Sequence, residues 1–558
     1  MNYSYILISL GVLFLSACSK SGNDDTSKPS AQPLILKSIT IQDKPFDAVA
    51  INQPVQPVIQ LIFSEPVKAG TIVGAIHIKD PSGNLIPHQV VTNDAGVTIK
   101  PANNLLHLTQ YSFVVNNSLQ SESGGNLGTA VNKSFVTYLD SSRKFPTLTN
   151  EQLLEKIQQQ TLKYFWDFAH PSSGMIREGS KHAPDIVTSG GTGFGVMALI
   201  AGMERGFIDK AQGLTRIQNI VTFLKDKAER FHGAFPHWMN GASGAVIPFS
   251  TNDNGADLVE TSLLMMGLIT ARQYFAGAGA SETNLRNDIN SLWNAVEWDW
   301  FRQNSQNVLY WHWSPSAAWT INLKVQGWNE CLITYVLAAS SSAHAITKDV
   351  YDNGWARNGA FKNGNIYYNY TLPLGENMGG PLFFAHYSFM GINPNGLSDG
   401  YANYQTQTKN HTLINYEYCK ANPKGYYGYS DSVWGLTASN IKDGYTASSP
   451  TNDRGFIAPT AAISSLPYTP NESMAALKFF YYVLGDKLFK EYGFVDAFSL
   501  DVLKNSGAWF ADVHLAIDQG PIVVMIENYR SGLLWNLFMS APEVKAGLNK
   551  LGFTAPGL

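Results

Sequence analysis

The stretch Asn252-Asp253-Asn254-Gly255-Ala256-Asp257-Leu258-Val259-Glu260-Thr261 runs directly into Ser262-Leu263-Leu264-Met265-Met266. This pattern predicts a strongly apolar helix from Leu258 to Phe275, with Asp253, Asp257 and Glu260 at i, i+4 and i+7 on one face. Acids at the opening of a helix cap its free N–H groups and complement its dipole, which accounts for Asp253 and Asp257. It does not account for Glu260. A glutamate followed by four large apolar residues is drawn toward a buried place, and burying a carboxyl requires a partner or a use.

On the N-terminal side of that helix, Thr149 and Gln152 form a capping box for a helix from Glu151 to Phe168, whose Leu154, Ile157, Leu162 and Phe165 recur at helical spacing. Further helices are predicted at Gly195 to Glu204, Leu214 to Arg230, Glu282 to Val296, Asn329 to Ser340, Ser473 to Leu484 and Ile526 to Met539. Between them lie long loops rich in Gly, Asn, Trp and Tyr, and loops of that length inside a compact domain are usually functional. Helices joined alternately by short turns and long polar loops fit an (α/α)6 barrel with its site at one loop-bearing end. This domain is expected to span residues 147–558.

Before the helices the texture differs. From Pro33 to Asp140, short β-rich runs such as Val58 to Phe63 and Ser112 to Val115 are punctuated by Gly, Pro and Asn, as in an all-β sandwich. Ile62-Phe63-Ser64-Glu65-Pro66-Val67, Leu105 to Val115 and Ser134-Phe135-Val136-Thr137 resemble bacterial immunoglobulin-like domains. At the front, Ile6 to Ala17 is an apolar run too short to span a bilayer, and Cys18 follows Leu15-Ser16-Ala17. This resembles a bacterial lipoprotein signal, which implies a leader over residues 1–17, lipidation of Cys18, a polar tether over 18–32 and an exported, membrane-anchored protein, periplasmic or on the outer membrane. Two cysteines remain. A disulfide between Cys331 and Cys419 and a pair of buried thiols are both open, and the apolar setting of Cys331 favours thiols.

Composition narrows the function. The 558 residues hold 39 Lys plus Arg against 43 Asp plus Glu, a formal net charge of −4. No basic block neutralises phosphates, so nucleic acid is not an expected partner. Charged residues make up only 15% and aromatics 12%, a balance that suits an uncharged, hydroxyl-rich ligand such as a sugar. Low charge and the lack of an obvious exposed apolar helix make a monomer the default. Phosphate-loop, zinc-protease, Cys-x-x-Cys and Gly-x-Ser-x-Gly motifs are all missing. Gly193-Phe194-Gly195 with Ala198 imitates a dinucleotide fingerprint, but no βαβ repeat surrounds it, and close helix packing explains the glycines better.

Two more acids stand in Gly- and aromatic-rich settings. Glu330, in Gly327-Trp328-Asn329-Glu330-Cys331, is placed for desolvation to raise its pKa, as a general acid near neutral pH requires. Asp518, in Ala516-Ile517-Asp518-Gln519-Gly520-Pro521, is read as a loop residue whose solvated carboxylate stays ionised and polarises water. For each, a helix cap or a loop hydrogen-bond hub is the competing explanation.

With these segments, Tyr164-Phe165-Trp166, Gly190 to Gly195, Gly380-Pro381-Leu382-Phe383-Phe384, Trp434-Gly435-Leu436-Thr437-Ala438 and Ile457 to Ala462 complete an ordered set. From Thr149 onward the chain resembles the glycoamylase-like group, most closely the β-1,2-glucanases of glycoside hydrolase family 144. The resemblance implies an (α/α)6 barrel and an inverting hydrolase without metal or other cofactor, with acidic site positions at Asp253, Asp257, Glu260, Glu330 and Asp518. Inversion needs a protonated carboxyl at the leaving oxygen and a carboxylate activating water. Glu330 is the expected acid, Asp518 the base and Asp257 the reserve base, with Asp253 and Glu260 holding hydroxyls or tuning the acid. Trp238, Trp311, Trp313, Trp434, Tyr401, Tyr426 and Tyr427 are expected along the cleft, and Arg177, Glu178, His237, Asp453 and Arg454 as hydrogen-bonding partners of a glucan. A hydrolase of another glucan linkage and a glycan-capture protein are the alternatives.

Overall fold

The computed structural model describes residues 31–505 and 507–558, so Cys18 and the leader lie outside the described residues. Two compact units emerge, 31–106 with 110–138, and 107–109 with 139–558.

The first unit carries β1 (Leu36–Ile41), β2 (Lys44–Pro45), β3 (Val49–Gln53), β4 (Ile59–Phe63), β5 (Ile76–Lys79), β6 (Leu85–Ile86), β7 (His88–Asn93), β8 (Gly96–Pro101), β9 (Gln110–Val115) and β10 (Val131–Thr137). They form two five-stranded sheets, in the orders β2-β1-β4-β8-β7 and β3-β10-β9-β5-β6. All pairs are antiparallel except β3 with β10. Period-two burial shows in β4, where Ile59, Leu61 and Phe63 are buried and Ile62 is exposed. Those side chains meet Ile78, Phe113 and Phe135 in a single core. One helix, α1 (Ala69–Ala75), departs from the all-β expectation: its sequence lacks alternation, and Ile72 and Ala75, three apart, are the residues it buries.

The second unit is mainly helical, with α2 (Asn150–Trp166), α3 (Ser189–Glu204), α4 (Lys210–Asp226), α5 (Leu258–Tyr274), α6 (Ala280–Asn294), α7 (Leu332–Ser340), α8 (Tyr404–Ala421), α9 (Pro470–Tyr482), α10 (Ala516–Arg530), α11 (Leu533–Ser540) and α12 (Pro542–Leu551). The capping box at Thr149 and Gln152 is present, and α2 buries Leu153, Leu154, Ile157 and Leu162 while Glu151, Glu155 and Lys156 face out. α4 and α6 are amphipathic in the same way. By contrast, α7 is buried along its whole length, as are all but the ends of α3 and α5. Cys331 and Cys419 are buried free thiols. Among the described residues no helix is long and apolar enough to cross a membrane.

Three local expectations are corrected. α3 begins at Ser189 rather than Gly195, because the glycine run is itself helical and packs against its neighbours. The single helix expected over Ile526 to Met539 is two, α10 and α11, parted by Gly532 in the left-handed region at φ 71°. Asp518 is therefore not in a loop. It occupies the first turn of α10, whose early Gly520 and Pro521 obscure the helix in the sequence. α8 is an additional helix, capped by Asn403, whose side chain accepts from the Thr406 N–H at 2.8 Å.

Candidate active site

A cavity of about 510 Å³ opens among the loops of the helical unit, lined in part by Glu178, His237, Trp238, Glu260, Trp311 and Glu330. All six are among the site residues expected from the sequence. The cavity is also lined by His182, Phe249, Tyr387, Asn440 and Tyr445, which carry no such expectation.

Short strands place the first group. Trp238–Asn240 pairs with Ile186–Thr188 on one side and Val246–Ile247 on the other, setting Trp238 and the adjacent His237 on the wall. Phe249 stacks on His237 at 4.2 Å, and Trp238 meets Phe249 edge-on at 4.7 Å. Ala256–Asp257 pairs with His312–Trp313, opposing Asp257 to His312 at the mouth of α5. Asp257 is the N-cap of α5, accepting the Glu260 N–H at 2.9 Å with Oδ1. Its Oδ2 lies 3.4 Å from His237 Nδ1 and 3.5 Å from His312 Nε2, and His312 Nε2 is also 3.5 Å from Asp253. Capping and charge pairing are thus both served by one carboxylate.

The electrostatics separate these acids. Burial would push the Asp257 carboxyl up, but His237 and His312 hold it well below the usual range. Burial opposes charge on His237, yet Glu260, Asp257 and Glu178 raise it to about 10, and Asp257 and Asp253 likewise raise His312 against its burial. Asp253 is raised by desolvation, with His312 opposing. Burial raises Glu260, His237 opposes the rise, and Asp257 and Glu178 add to it. Glu260 Oε2 accepts the Gly190 N–H at 2.8 Å. Glu330 is pushed up to about 7, chiefly by burial and further by Glu260 and Asp257. Glu178 Oε2 is buried without a hydrogen-bond partner on the cavity wall.

Asp518 differs from its sequence reading in environment as well as place. It is 2% exposed and its carboxyl is raised well above the usual range, first by burial and then by Asp496, with which it shares a hydrogen bond. A solvated, ionised lone carboxylate does not describe it. Asp253, Asp257 and His312 bring potential ligand atoms within 4.8 Å of one another, the arrangement among the described residues that could hold a metal ion. His312 Nε2 lies 3.5 Å from both carboxylates, and its imidazolium supplies one positive charge to the pair.

The remaining candidates do not gather at the cavity. Trp434 is fully buried and its Nε1 donates to the Glu472 carbonyl, so no sugar can stack on it. Trp313 packs against Phe231, His232 and Trp300. Tyr401 donates to Asp352, Tyr426 packs on Tyr429, and the Tyr427 N–H donates to Asp501. Asp453 accepts from Tyr418, Tyr429 and the Gly455 N–H, a loop hub rather than a ligand contact. Arg454 donates to Asn452, and Arg177 to the Pro184 and Phe168 carbonyls.

A site with aromatic walls, in which burial raises the Glu330 carboxyl to about 7 while two histidines hold Asp257 as an anion, is of the carboxylate type used by glycoside hydrolases. Residues 322–542 match the glycoamylase family, described as "putative glucoamylase", and 31–137 match a bacterial Ig-like domain. The chain is 43% identical over 443 residues to an exo β-1,2-glucooligosaccharide sophorohydrolase (non-reducing end) of Parabacteroides distasonis, covering 76% of this chain and 60% of that protein. It thus spans about 60% of the length of that curated relative. The endo-β-1,2-glucanase of Chitinophaga pinensis, solved with sophorotriose and glucose, shares 52% identity at a TM-score of 0.71, over 74% of this chain and all of that one. A β-1,2-glucanase structure from Parabacteroides distasonis shares 36% identity at a TM-score of 0.70, over 94% and 74% respectively. The chain belongs to the glycoamylase-like family, with an N-terminal bacterial immunoglobulin-like domain.

Proposed function

We propose that the protein is an inverting glycoside hydrolase of β-1,2-glucan, with Glu330 as general acid and Asp518 as general base. The observation that carries the reading is Glu330, on the cavity wall beside Glu260 and raised to about 7, so that it holds a proton near neutral pH. In the step itself the bond from C1 to the leaving oxygen breaks, that oxygen takes the Glu330 proton, and water bonds to C1 from the opposite face. The water's proton passes through intervening waters to Asp518, which lies behind the wall residues Leu515 and Ile517. Asp257 is the reserve base. Both the Parabacteroides and the Chitinophaga relatives carry β-1,2-glucan activities in their names, which favours that linkage.

Within this reading the helices form an (α/α)6 barrel. Helices α3, α5 and α7, buried on nearly every side, belong to its inner ring, and the amphipathic α2, α4 and α6 to its outer ring. We further propose export as a monomer anchored through acylated Cys18, and Cys18→Ser is expected to abolish lipid labelling and membrane fractionation.

Linear β-1,2-glucan, starch and laminarin are offered to the wild type and to Glu330→Gln, and products are resolved by size and anomer. Short β-1,2-linked products of inverted anomer, lost in the variant, are expected, and their sizes separate endo-cleavage from sophorose release. Products of retained anomer, or cleavage of starch alone, overturn the reading. Binding of β-1,2-glucan without cleavage replaces hydrolysis with glycan capture.

A further inference from the structure

Asp496 lies outside the sequence segments quoted above for the family resemblance, yet it is 1% exposed and joins two parts of the site. Its Oδ2 accepts the Asn440 N–H at 2.6 Å and the Asn440 amide at 2.8 Å. Asn440 sits in the hairpin Ala438–Ile441 with Gly444–Ala447, which supplies Ala438, Asn440, Tyr445 and Ala447 to the cavity wall. Asp496 also shares a side-chain hydrogen bond with Asp518. No N–H or hydroxyl reaches either Asp496 Oδ1 or Asp518 Oδ2, both of them buried. Since an ionised carboxylate only accepts, a hydrogen bond between two carboxyls requires a proton on one of them.

We propose that Asp496 is a positioning residue that holds the Asp518 carboxyl and the hairpin wall as one unit, making the water-activating group half of a one-proton carboxyl pair. This rests on the reading of Asp518 as base. A pair with one proton keeps one negative charge, so it still takes up the proton released by the attacking water and becomes a neutral diacid. The charge-assisted O–H···O⁻ bond offsets the cost of burying that charge. Burial, the mutual repulsion of the carboxyls and the nearby Glu178 keep one proton within the pair. The Tyr164, Tyr387 and Tyr445 hydroxyls, raised by burial and by the charge of the same carboxyl, stay neutral.

Three variants test this in the whole protein. In Asp496→Asn, the new amide oxygen still accepts from Asn440 while its N–H₂ donates to Asp518. KM for a β-1,2-gluco-oligosaccharide is expected to stay near wild type, and the acidic limb of kcat/KM to move up by about one pH unit, because an amide stabilises the Asp518 anion less than a carboxylic acid does. In Asp496→Ala, the hairpin loses both acceptor contacts, KM rises about tenfold and hydrogen exchange of amides 438–447 accelerates in the ligand-free protein. Asp518→Asn retains a donor to Asp496, so its hairpin exchanges at the wild-type rate although activity falls. Thermal unfolding of each variant checks folding. If Asp496→Ala does not fold, Asp496→Asn decides through its pH limb. An unmoved limb in Asp496→Asn, or an unchanged KM and hairpin exchange in folded Asp496→Ala, overturns the proposal. Should the wild type cleave no β-1,2-glucan, the functional reading fails on its own, and the exchange comparison still decides whether Asp496 ties the hairpin down.

Discussion

Gly193 of α3 and Gly267 of α5 face each other with no room for a side chain: a Cβ on Gly267 would lie 2.2 Å from the Gly193 carbonyl oxygen. One on Gly193 would come equally close to the Leu263 carbonyl oxygen, at 2.2 Å. Backbone is the obstacle in both cases, so neither contact relaxes by turning a side chain. The same approach of α3 to α5 brings the Gly190 N–H onto Glu260, linking the helix crossing to the wall of the site. Gly193→Ala and Gly267→Ala are each expected to lower stability by roughly 1–3 kcal/mol in denaturant titrations. Gly400→Ala, with nothing within 4 Å of its Cβ, is expected to change it by less than about 0.5 kcal/mol.

Glu330 sets the alkaline side of the rate profile. A general acid works only while protonated, so kcat/KM is expected to fall as pH rises through about 7. Glu330→Gln removes the transferable proton and is expected to cost about 10²–10⁴ in kcat. A profile flat to pH 9 in the wild type would exclude Glu330 as the acid.

His237 is expected to remain an imidazolium well above neutrality. Carboxylates around it raise its folded pKa to about 10 against its burial. A raised histidine stabilises the fold fully below its unfolded value and loses that contribution as pH rises through the folded value. Ring ¹⁵N shifts of His237 should therefore not titrate between pH 6 and 8. In Asp257→Asn, which removes one of the anions and a hydrogen-bond acceptor, they are expected to titrate at lower pH than in the wild type.

How far the sequence discloses the site follows from where each residue's signal lies. Glu260 and Glu330 are legible because a lone carboxyl amid apolar or aromatic neighbours conflicts with burial unless it is used. Asp496 lies in Gly493-Phe494-Val495-Asp496-Ala497-Phe498, an equally apolar setting, but its meaning depends on Asn440 and Asp518, which only the folded chain brings to it. Tyr445 reaches the cavity from the far strand of a hairpin too short to show periodicity. Aromatics mislead for a related reason: Trp311 lines the cavity and Trp434 is core, and both stand among apolar neighbours in the sequence. At the level of architecture, α5 and α2 are legible from their spacing, whereas α8, mostly polar and aromatic, and α10, with Pro521 in its early turns, carry weak local signals overridden by packing.

Beneath the site, α3 and α10 are joined by an ion pair whose removal separates stability from catalysis. Arg205 donates Nε to Glu527 Oε2 at 2.8 Å and Nη2 to Oε1 at 2.7 Å, a bidentate clamp on a carboxylate that is wholly buried. Burial would raise the Glu527 carboxyl, but Arg205, Ser531 and Gln158 hold it below its usual value. A depressed carboxylate contributes stability above its unfolded pKa and loses it as pH falls through the folded value. Arg205→Ala leaves that charge to Ser531 and Gln158 alone, and is expected to cost about 3 kcal/mol at pH 7. Arg205→Lys, a single point donor, is expected to fall between the two. Without Arg205 the burial of Glu527 is less offset, so in Arg205→Ala it takes up a proton at higher pH than in the wild type, and the stability gap should shrink as pH falls. Urea titrations at pH 7 and pH 4 check this: a gap that is the same at both would show that the lost packing of the arginine stem, not the charge pair, sets the cost.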